Sequence, residues 1–527
     1  MATNVRLLKI PSITLRNSKF NYDVSYDQAL LDGNLIAMGN SQLVQWIYAK
    51  RGIDSNTLGE YVGQLRKQGE YKKATETLYM TEVLKVDFSK PDDMDKIVKN
   101  GLIVNGQEYV FLLTKGDEDV TFIRKDLKEE MDLRLNADRD MEQLLYGAKL
   151  NAYKALTTTG STKVSSPLNV IVIKDCDKSF EADYLWVDED VIPKKEVVTR
   201  NINDGAGFIS PQLAKTWTEE LGHSGIDSAF QVRYLWTKGI LYPFDYKRWI
   251  TENGGKTTVV DVWGHERNIL DADIILTESM VKLSKKHYKS MEDWLTSADK
   301  YEYVWRVGKT SKKIKVGYSN YQQILPLNMY SKDDCKDFIQ YEIDYLKDVM
   351  GGEWRSTYLY LNGVENTETG IVKKVKHVIE NGGGDLSLAL MIEPNLAKDK
   401  FTQVKVRANL QGTKTDMKNG HCMLGEDSSF QIIVPDPIAL VQHLSGLEPV
   451  GFLNPYEIYS KTHMTKNVKE VLAFRSPQLI ENNTVRVKIA TPSEDVQKYL
   501  EYLDDVFIID SCSLINESMC GLNHSSR

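Results

Sequence analysis

Two lysines, Lys215 and Lys238, stand in a stretch that opens with Asp204-Gly-Ala-Gly-Phe-Ile-Ser210 and closes with Phe230-Gln-Val-Arg233 and Lys238-Gly239. Lysines fixed in a glycine-punctuated, strand-like setting suit the handling of phosphate or of nucleic-acid ends. Their separation alone carries nothing, because the chain holds 66 lysines and arginines. The setting of Lys238 carries more. Trp236 and Gly239-Ile240-Leu241 flank it, and an unpaired ammonium buried among such groups is costly. Lys238 is therefore expected to face a cleft or an anion. Arg233 precedes it in a run of strand-like residues, Phe230 to Tyr234. The glycines spell neither common phosphate loop: no Gly-Lys-Ser/Thr follows at Walker A spacing, and the third glycine of the dinucleotide fingerprint is missing. Read alone, Asp204 to Gly207 is equally an ordinary turn.

The elements that must hold these residues are spread over a long chain. At 527 residues, two to four domains are expected. Apolar residues make up 42% and charged residues 27%, the balance of a folded globular protein. A net charge of −8 argues against a generally basic coat, yet a locally basic channel is compatible with an acidic exterior. Five widely spaced cysteines with no CxxC argue against a zinc cage or a disulfide framework and point to a reducing, cytoplasmic setting. No HExxH occurs, and no apolar window of about 20 residues predicts a membrane span. The pairs Asp271/Asp273 and Asp504/Asp505 read as surface or turn carboxylates.

Helical spacing is expected over Asn136 to Leu156, followed by a polar linker, Thr157 to Thr162. Short strands then follow at Leu168 to Ile173, Val197-Val198, Thr257 to Trp263 and Asp273 to Leu276. Helices are predicted at Lys332 to Met350, stopped by Gly351-Gly352, and at Thr369 to Glu380. A second strand-rich region has candidates at Gln403 to Arg407, Phe430 to Val434, Val471 to Phe474, Val485 to Ile489 and Val506 to Ile509. Two β-rich regions joined by helices are compatible with a duplication, which the sequence does not prove.

Two further blocks give the pattern a family. Asp204-Gly-x-Gly-x-Ile-Ser, Ser228-Ala-Phe-Gln-Val-Arg233 and Lys238-Gly239 resemble the signature of cellular RNA-dependent RNA polymerases and of single-chain phage RNA polymerases. Leu276-Thr-Glu-Ser-Met-Val-Lys282 is similar to that group's Arg-Pro-Ser-Met-x-Lys-Phe block, with Thr-Glu for Arg-Pro. Phe474-Arg475-Ser-Pro-Gln-Leu479 is similar to its Arg-Asn-Pro-x-Leu-His block. The blocks keep their order over roughly residues 165 to 527. The resemblance implies an α+β fold of two double-psi β-barrels joined by a helical connector. Residues 1–163 would form a mixed, mainly helical N-terminal region, 164–325 the lysine-bearing barrel, 326–395 the connector and 396–527 the second barrel. It also implies that Lys215 and Lys238 contact the growing RNA end and nucleotide phosphates in catalysis. Arg233, Lys282 and Arg475 would be substrate-binding, Arg475 near the incoming sugar. The implied partners are a nucleic-acid template, DNA or RNA, the RNA product and ribonucleoside triphosphates, with magnesium as cofactor.

One departure is large. The family's catalytic loop reads Gly-x-Asp-x-Asp-Gly-Asp, and its aspartates hold the magnesium ions. Aligned on Gly521, this chain has Asn523, Ser525 and Arg527 in their place. An amide, a hydroxyl and a guanidinium do not replace three anionic ligands of a hard cation. The second barrel is thus expected to be incomplete at this loop and the chain inactive alone, with no metal ligands of its own. Three origins stay open: a fragment, a split gene whose aspartates lie on a second polypeptide, or an inactive descendant. The rival functions are a non-catalytic nucleic-acid-binding or polymerase-assembly subunit and a metabolic β-barrel enzyme.

Overall fold

The computed structural model describes residues 4–88, 94–115, 119–137, 147–187, 191–282, 287–311, 319, 331–362, 385–424, 428–475 and 484–520. The fold is mixed α and β, in two compact units: Met1–Asp177, Asn201–Thr310 and Leu440–Pro449 form the first, and Lys178–Arg200, Ser311–Ala439 and Val450–Arg527 the second.

The N-terminal part of the first unit is organised by a sheet. Its strands are β1 (Val5–Pro11), β2 (Asn21–Tyr22), β3 (Leu35–Met38), β4 (Tyr79–Asp87), β5 (Leu102–Val104), β6 (Gln107–Lys115) and β7 (Asp119–Arg124), in the order β2-β5-β6-β7-β4-β1-β3. Strand β1 shows why. Val5 and Leu7 enter one hydrophobic core, Leu8 and Ile10 another, so both faces of the sheet are covered. Strands buried on both faces read as near-continuous apolar runs and lose the alternation that reveals a strand. The expectation for this region named helices, which are present, but placed no sheet.

A second sheet of the first unit carries the sequence blocks. It comprises β8 (Thr162–Lys163), β9 (Val170–Ile173), β12 (Ala206–Ile209), β13 (Phe230–Tyr234), β14 (Thr237–Pro243), β17 (Ile274–Thr277) and β18 (Arg306–Thr310). Their order is β8-β18-β13-β14-β12-β17-β9. Two ribbons lie outside it, β10 (Asp177–Val187) with β11 (Val191–Asn201), and β15 (Thr258–Val260) with β16 (Glu266–Asn268). The second unit has the strands β19 (Ile432–Pro435), β20 (Glu457–Tyr459), β21 (Glu470–Ala473), β22 (Val485–Ile489) and β23 (Val506–Ile509), in the order β19-β23-β20-β22-β21. Helices Lys332–Gly351, Trp354–Leu361, Asp385–Ile392 and Lys400–Lys418 precede them.

The two units share a topology. In chain order, β9, β12, β13, β14 and β17 correspond to β19, β20, β21, β22 and β23. Across each sheet these run third, fourth, second, fifth, first. In both, the third is antiparallel to the fourth and the fourth parallel to the second. In both, the second is antiparallel to the fifth and the fifth parallel to the first. A helix follows the second strand in each set, Pro211–Glu220 in one and Lys461–Thr465 in the other.

Several expected elements differ. Gln403 to Arg407 is not a strand but lies inside the helix Lys400–Lys418, where Thr402, Val406 and Leu410 are buried at helical spacing. The Asp399 side chain accepts from the Phe401 N–H at 2.8 Å and starts that helix. Thr157 to Thr162 is no linker, since it supplies the end of a 3-10 turn and the start of β8. The helix expected over Asn136 to Leu156 is interrupted: one helix ends at Asn136, with Ala137 left-handed, and another spans Gly147–Lys154. Thr369 to Glu380 and the loop with Asn523, Ser525 and Arg527 lie outside the described residues. Lys332–Gly351 is helical as expected, opened by a capping box of Ser331 and Asp334 and closed by left-handed Gly352.

Candidate functional site

Three blocks distant in sequence interlock at one end of the second sheet. Gly205 donates its backbone N–H to the Ser279 hydroxyl at 2.9 Å, and the Thr277 hydroxyl donates to the Ala206 carbonyl at 3.0 Å. Lys238 donates its backbone N–H to Met280 O at 3.0 Å, and Lys282 to Trp236 O at 3.1 Å. The fully buried Met280 is the wedge between them. A Cβ on Gly207 would meet Ile275 O at 2.2 Å and the Met280 sulfur at 3.1 Å. A Cβ on Gly239 would meet Gly205 O at 2.5 Å and the Met280 methyl at 2.7 Å. Close backbone approach thus requires both glycines.

This packing brings three of the five expected residues together. Lys238 pairs across the strands with Arg233, so their side chains leave the same face. Lys238 is exposed, and the Lys282 ammonium donates to the Ser279 carbonyl. Arg233 is half-buried: burial lowers its pKa, one Nη donates to Val232 O at 2.7 Å, and its Nε has no partner. Beside it is a cavity of about 30 Å³ also lined by Arg306, Ser161 and Thr237. That is room for a water molecule or two.

Register extends the cationic row. Arg233 also pairs with Arg306, and Arg306 with Lys163, so Lys163, Arg306, Arg233 and Lys238 stand in file across four adjacent strands. Like charges directly opposite repel. Arg306 is the row's buried anchor. It donates to the Ser161 hydroxyl and carbonyl and to Gln45, all neutral acceptors, and burial pushes its pKa down to about 10. Arg306 and Lys163 escaped the sequence reading because one opens a strand not among those expected and the other directly follows the supposed linker.

Lys215 and Arg475 are placed elsewhere. Lys215 is exposed on the helix Pro211–Glu220, not in the strand-like setting expected. Trp217 of that helix packs on Phe230 and Trp305, the face of β13 opposite Arg233. Lys238 is the second residue of β14, whereas the helix starts beyond the far end of the parallel strand β12. Arg475 belongs to the second unit, where it donates to the Asn516 side chain.

Carboxylates near the interlocked blocks are committed to the fold. Asp175 accepts from the Ser279 N–H at 2.9 Å, and burial raises its pKa, with Glu278 and Asp204 adding to the effect. Asp273 accepts from the N–H groups of Leu168 and Asn169, as a turn carboxylate does. Among the described residues, no three His, Cys, Asp or Glu side chains form a metal-holding group. Magnesium does not fit the donors these residues present. Among them, too, no helix is long and apolar enough to cross a membrane.

Residues 67–508 match the family model described as RNA dependent RNA polymerase. The chain belongs to that family. It is 24% identical over 479 residues to the DNA-directed RNA polymerase YonO of Bacillus phage SPbeta, covering 87% of this chain and 50% of that protein. The chain thus spans about half the length of this curated relative. The RNA-dependent RNA polymerase QDE-1 from Thielavia terrestris has a similar fold, with a TM-score of 0.51 at 16% identity over 83% of this chain and 47% of that one. Within the RNA-dependent RNA polymerase family match lie all five expected site residues and both five-strand sets but for the final Ile509.

Proposed function

We propose that this chain is the front part of a template-directed RNA polymerase that joins ribonucleoside triphosphates in the cytoplasm. On this reading residues 164–325 and 396–527 are two double-psi β-barrels, 326–395 connects them, and 1–163 precedes them. The repeated five-strand order supports the pair of barrels. The observation that carries the function is Lys238, exposed beside Arg233 and Lys282 where three family blocks interlock. Lys238 would neutralise phosphate charge of the nucleotide or the RNA end, with Arg233 and Lys282 as its substrate-binding neighbours. Lys215 and Arg475 keep the roles the resemblance implies only if these residues meet the same nucleic acid from their own positions. Magnesium would be held by a carboxylate loop that Asn523, Ser525 and Arg527 do not provide, so the chain alone is proposed to be inactive and to need a second segment or polypeptide.

The test begins with the native transcript, read through and beyond codon 527. RNA synthesis is then assayed on primed RNA and DNA templates with magnesium, using the chain alone and the product restored with Asp-x-Asp-Gly-Asp. Synthesis only by the restored product, lowered at least about 100-fold by Lys238→Ala, is the expected result. Robust synthesis by the chain alone would overturn its proposed inactivity. A transcript with no such loop, together with salt-dependent nucleic-acid binding, would favour the second reading, a non-catalytic binding or assembly subunit, which the three replaced aspartates specifically support.

A further inference from the structure

A second cationic surface lies far along the chain from these blocks, at the edge of the N-terminal sheet. A cleft of about 360 Å³ is lined there by Lys19, Lys96 and Lys125, with Asn21, Asn100 and Phe20 among its walls. Its size falls within the rough 300–1,000 Å³ span of ligand clefts. All three lysines are exposed. Among the described residues Glu108 is the one acidic residue lining it, and Lys125 holds that carboxylate at 2.6 Å. Lys19 and Lys96 have no ion-pair partner among the described residues. The fold keeps Lys19 at this rim despite a cost. Lys19 and Phe20 are both left-handed, with φ of 54° and 64°, a region non-glycine residues rarely occupy in succession. Their N–H groups satisfy Arg16 O and Leu15 O at the end of the preceding helix. Glycine would close that helix with less strain, but would carry no charge to the cleft.

We infer that this cleft binds the phosphodiester backbone of a nucleic-acid strand, with Lys19 and Lys96 as the phosphate contacts and Asn21 and Asn100 as neutral donors beside them. Ammonium groups with no ion-pair partner among the described residues favour an anion. An open cleft on a sheet edge admits a continuous strand better than a small enclosed anion. The asparagines can donate hydrogen bonds to phosphate or sugar oxygens. The inference rests on the polymerase reading only for the identity of the anion, and gives the N-terminal region a role separate from that of Lys238.

The test measures fluorescence anisotropy of labelled single-stranded RNA and DNA 20-mers with the full chain, without nucleotides or magnesium, from 50 to 200 mM salt. The double variant Lys19→Glu/Lys96→Glu and the milder Lys19→Gln/Lys96→Gln are compared with the wild type, with circular dichroism to verify folding. Removing two contacts is expected to weaken binding roughly tenfold and to flatten the slope of log affinity against log salt by about 1.4 for single strands. Preference for RNA, for DNA or for neither identifies the source of the backbone, and each agrees with the proposal. Unchanged affinity and slope in both variants would overturn it, as would no binding by the wild type at 50 mM salt. Equal competition by polyglutamate at matched charge would also overturn it, by showing a surface that takes any polyanion. Because the assay needs no synthesis, its failure is distinguishable from failure of the polymerase reading, which Lys238→Ala tests separately.

Discussion

The two five-strand sets share order and direction, but their chemistry diverges where the strands end. In the first set, Lys238 is the second residue of the fourth strand and Met280 follows the fifth, wedged against Gly207 and Gly239. In the second, buried carboxylates follow the first and fifth strands; after the first strand of the first set stands the half-buried Asp175, which accepts from the Ser279 N–H. Asp436 follows β19 and accepts four backbone N–H groups, those of Ile438, Ala439, Phe452 and Leu453. Asp510 follows β23 and accepts from the Tyr456 and Cys512 N–H groups and the Ser513 hydroxyl. One topology therefore carries a cationic surface at its third and fourth strands in one copy and, after its first and fifth strands in the other, two buried carboxylates that each accept several hydrogen bonds. The strands fix where chain ends meet, and the residues just beyond them decide what they can do.

The largest way to break this contrast is Gly207→Ala. The new methyl would be driven into the Ile275 carbonyl, which is backbone and cannot rotate away. A loss of about 3 kcal/mol or more is expected for the first unit. Urea unfolding followed by tryptophan fluorescence measures it, and a loss under about 1 kcal/mol would remove the wedge from the account.

Asp436→Asn sharpens the other side. An amide cannot offer four lone-pair sites to four N–H donors, because its NH₂ must face two of them. A cost of about 2–3 kcal/mol is expected at pH 7. The pH dependence has a definite sign. Burial pushes the Asp436 carboxyl up to about 6 from 3.8, against the pull of its four N–H donors. Its contribution to stability is fully present below about pH 3.8 and is lost as pH rises through about 6. Burial raises Asp510 as well, so it acts in the same direction. Hydrogen exchange of peptides spanning Ile432 to Tyr459 should quicken between pH 4 and 6, after correction for intrinsic rates. Asp436→Asn should flatten that change, and an equal change in the variant would exclude Asp436 as its source.

What was legible in the sequence follows the same division. Val485–Ile489 and Val506–Ile509 were readable as strands because β-branched residues crowd short segments bounded by turns. The Lys238 neighbourhood was readable because its glycines and serine sit at fixed offsets that packing demands. The N-terminal sheet was not, since strands such as β1 bury both faces. Val404-Lys405-Val406 alternates like a strand, yet Val404 is 58% exposed and Val406 fully buried on a helix. Periodicity over so few residues does not separate the two. Lys215 differs from its expected setting for a related reason: Ser210-Pro211 starts a helix directly after a glycine-punctuated strand, so the strand-like pattern ends before the lysine is reached. The row from Lys163 to Lys238 was invisible, because cross-strand register joins residues that no local spacing connects.

The smallest expected effect compares the serines that open the helix after each second strand. Ser210 Oγ accepts from the Leu213 N–H at 3.4 Å, a long capping bond. Ser460 is fully buried and makes no such cap; its hydroxyl lies 2.9 Å from His463 Nδ1 and 3.1 Å from the Gln431 amide. Ser210→Ala should cost about 0.5–1 kcal/mol and speed exchange at Leu213, because the helix loses a capped donor. Ser460→Ala should cost about 1–2 kcal/mol through its buried side-chain partners, while exchange at the start of Lys461–Thr465 stays as in the wild type. If both variants speed exchange at their helix starts alike, the serines are equivalent caps and the two sets differ less than their hydrogen bonds indicate. If only Ser210→Ala does, the same residue at the same place in the topology has been given two tasks: one holds a helix start, the other ties a buried histidine to the first strand's flank.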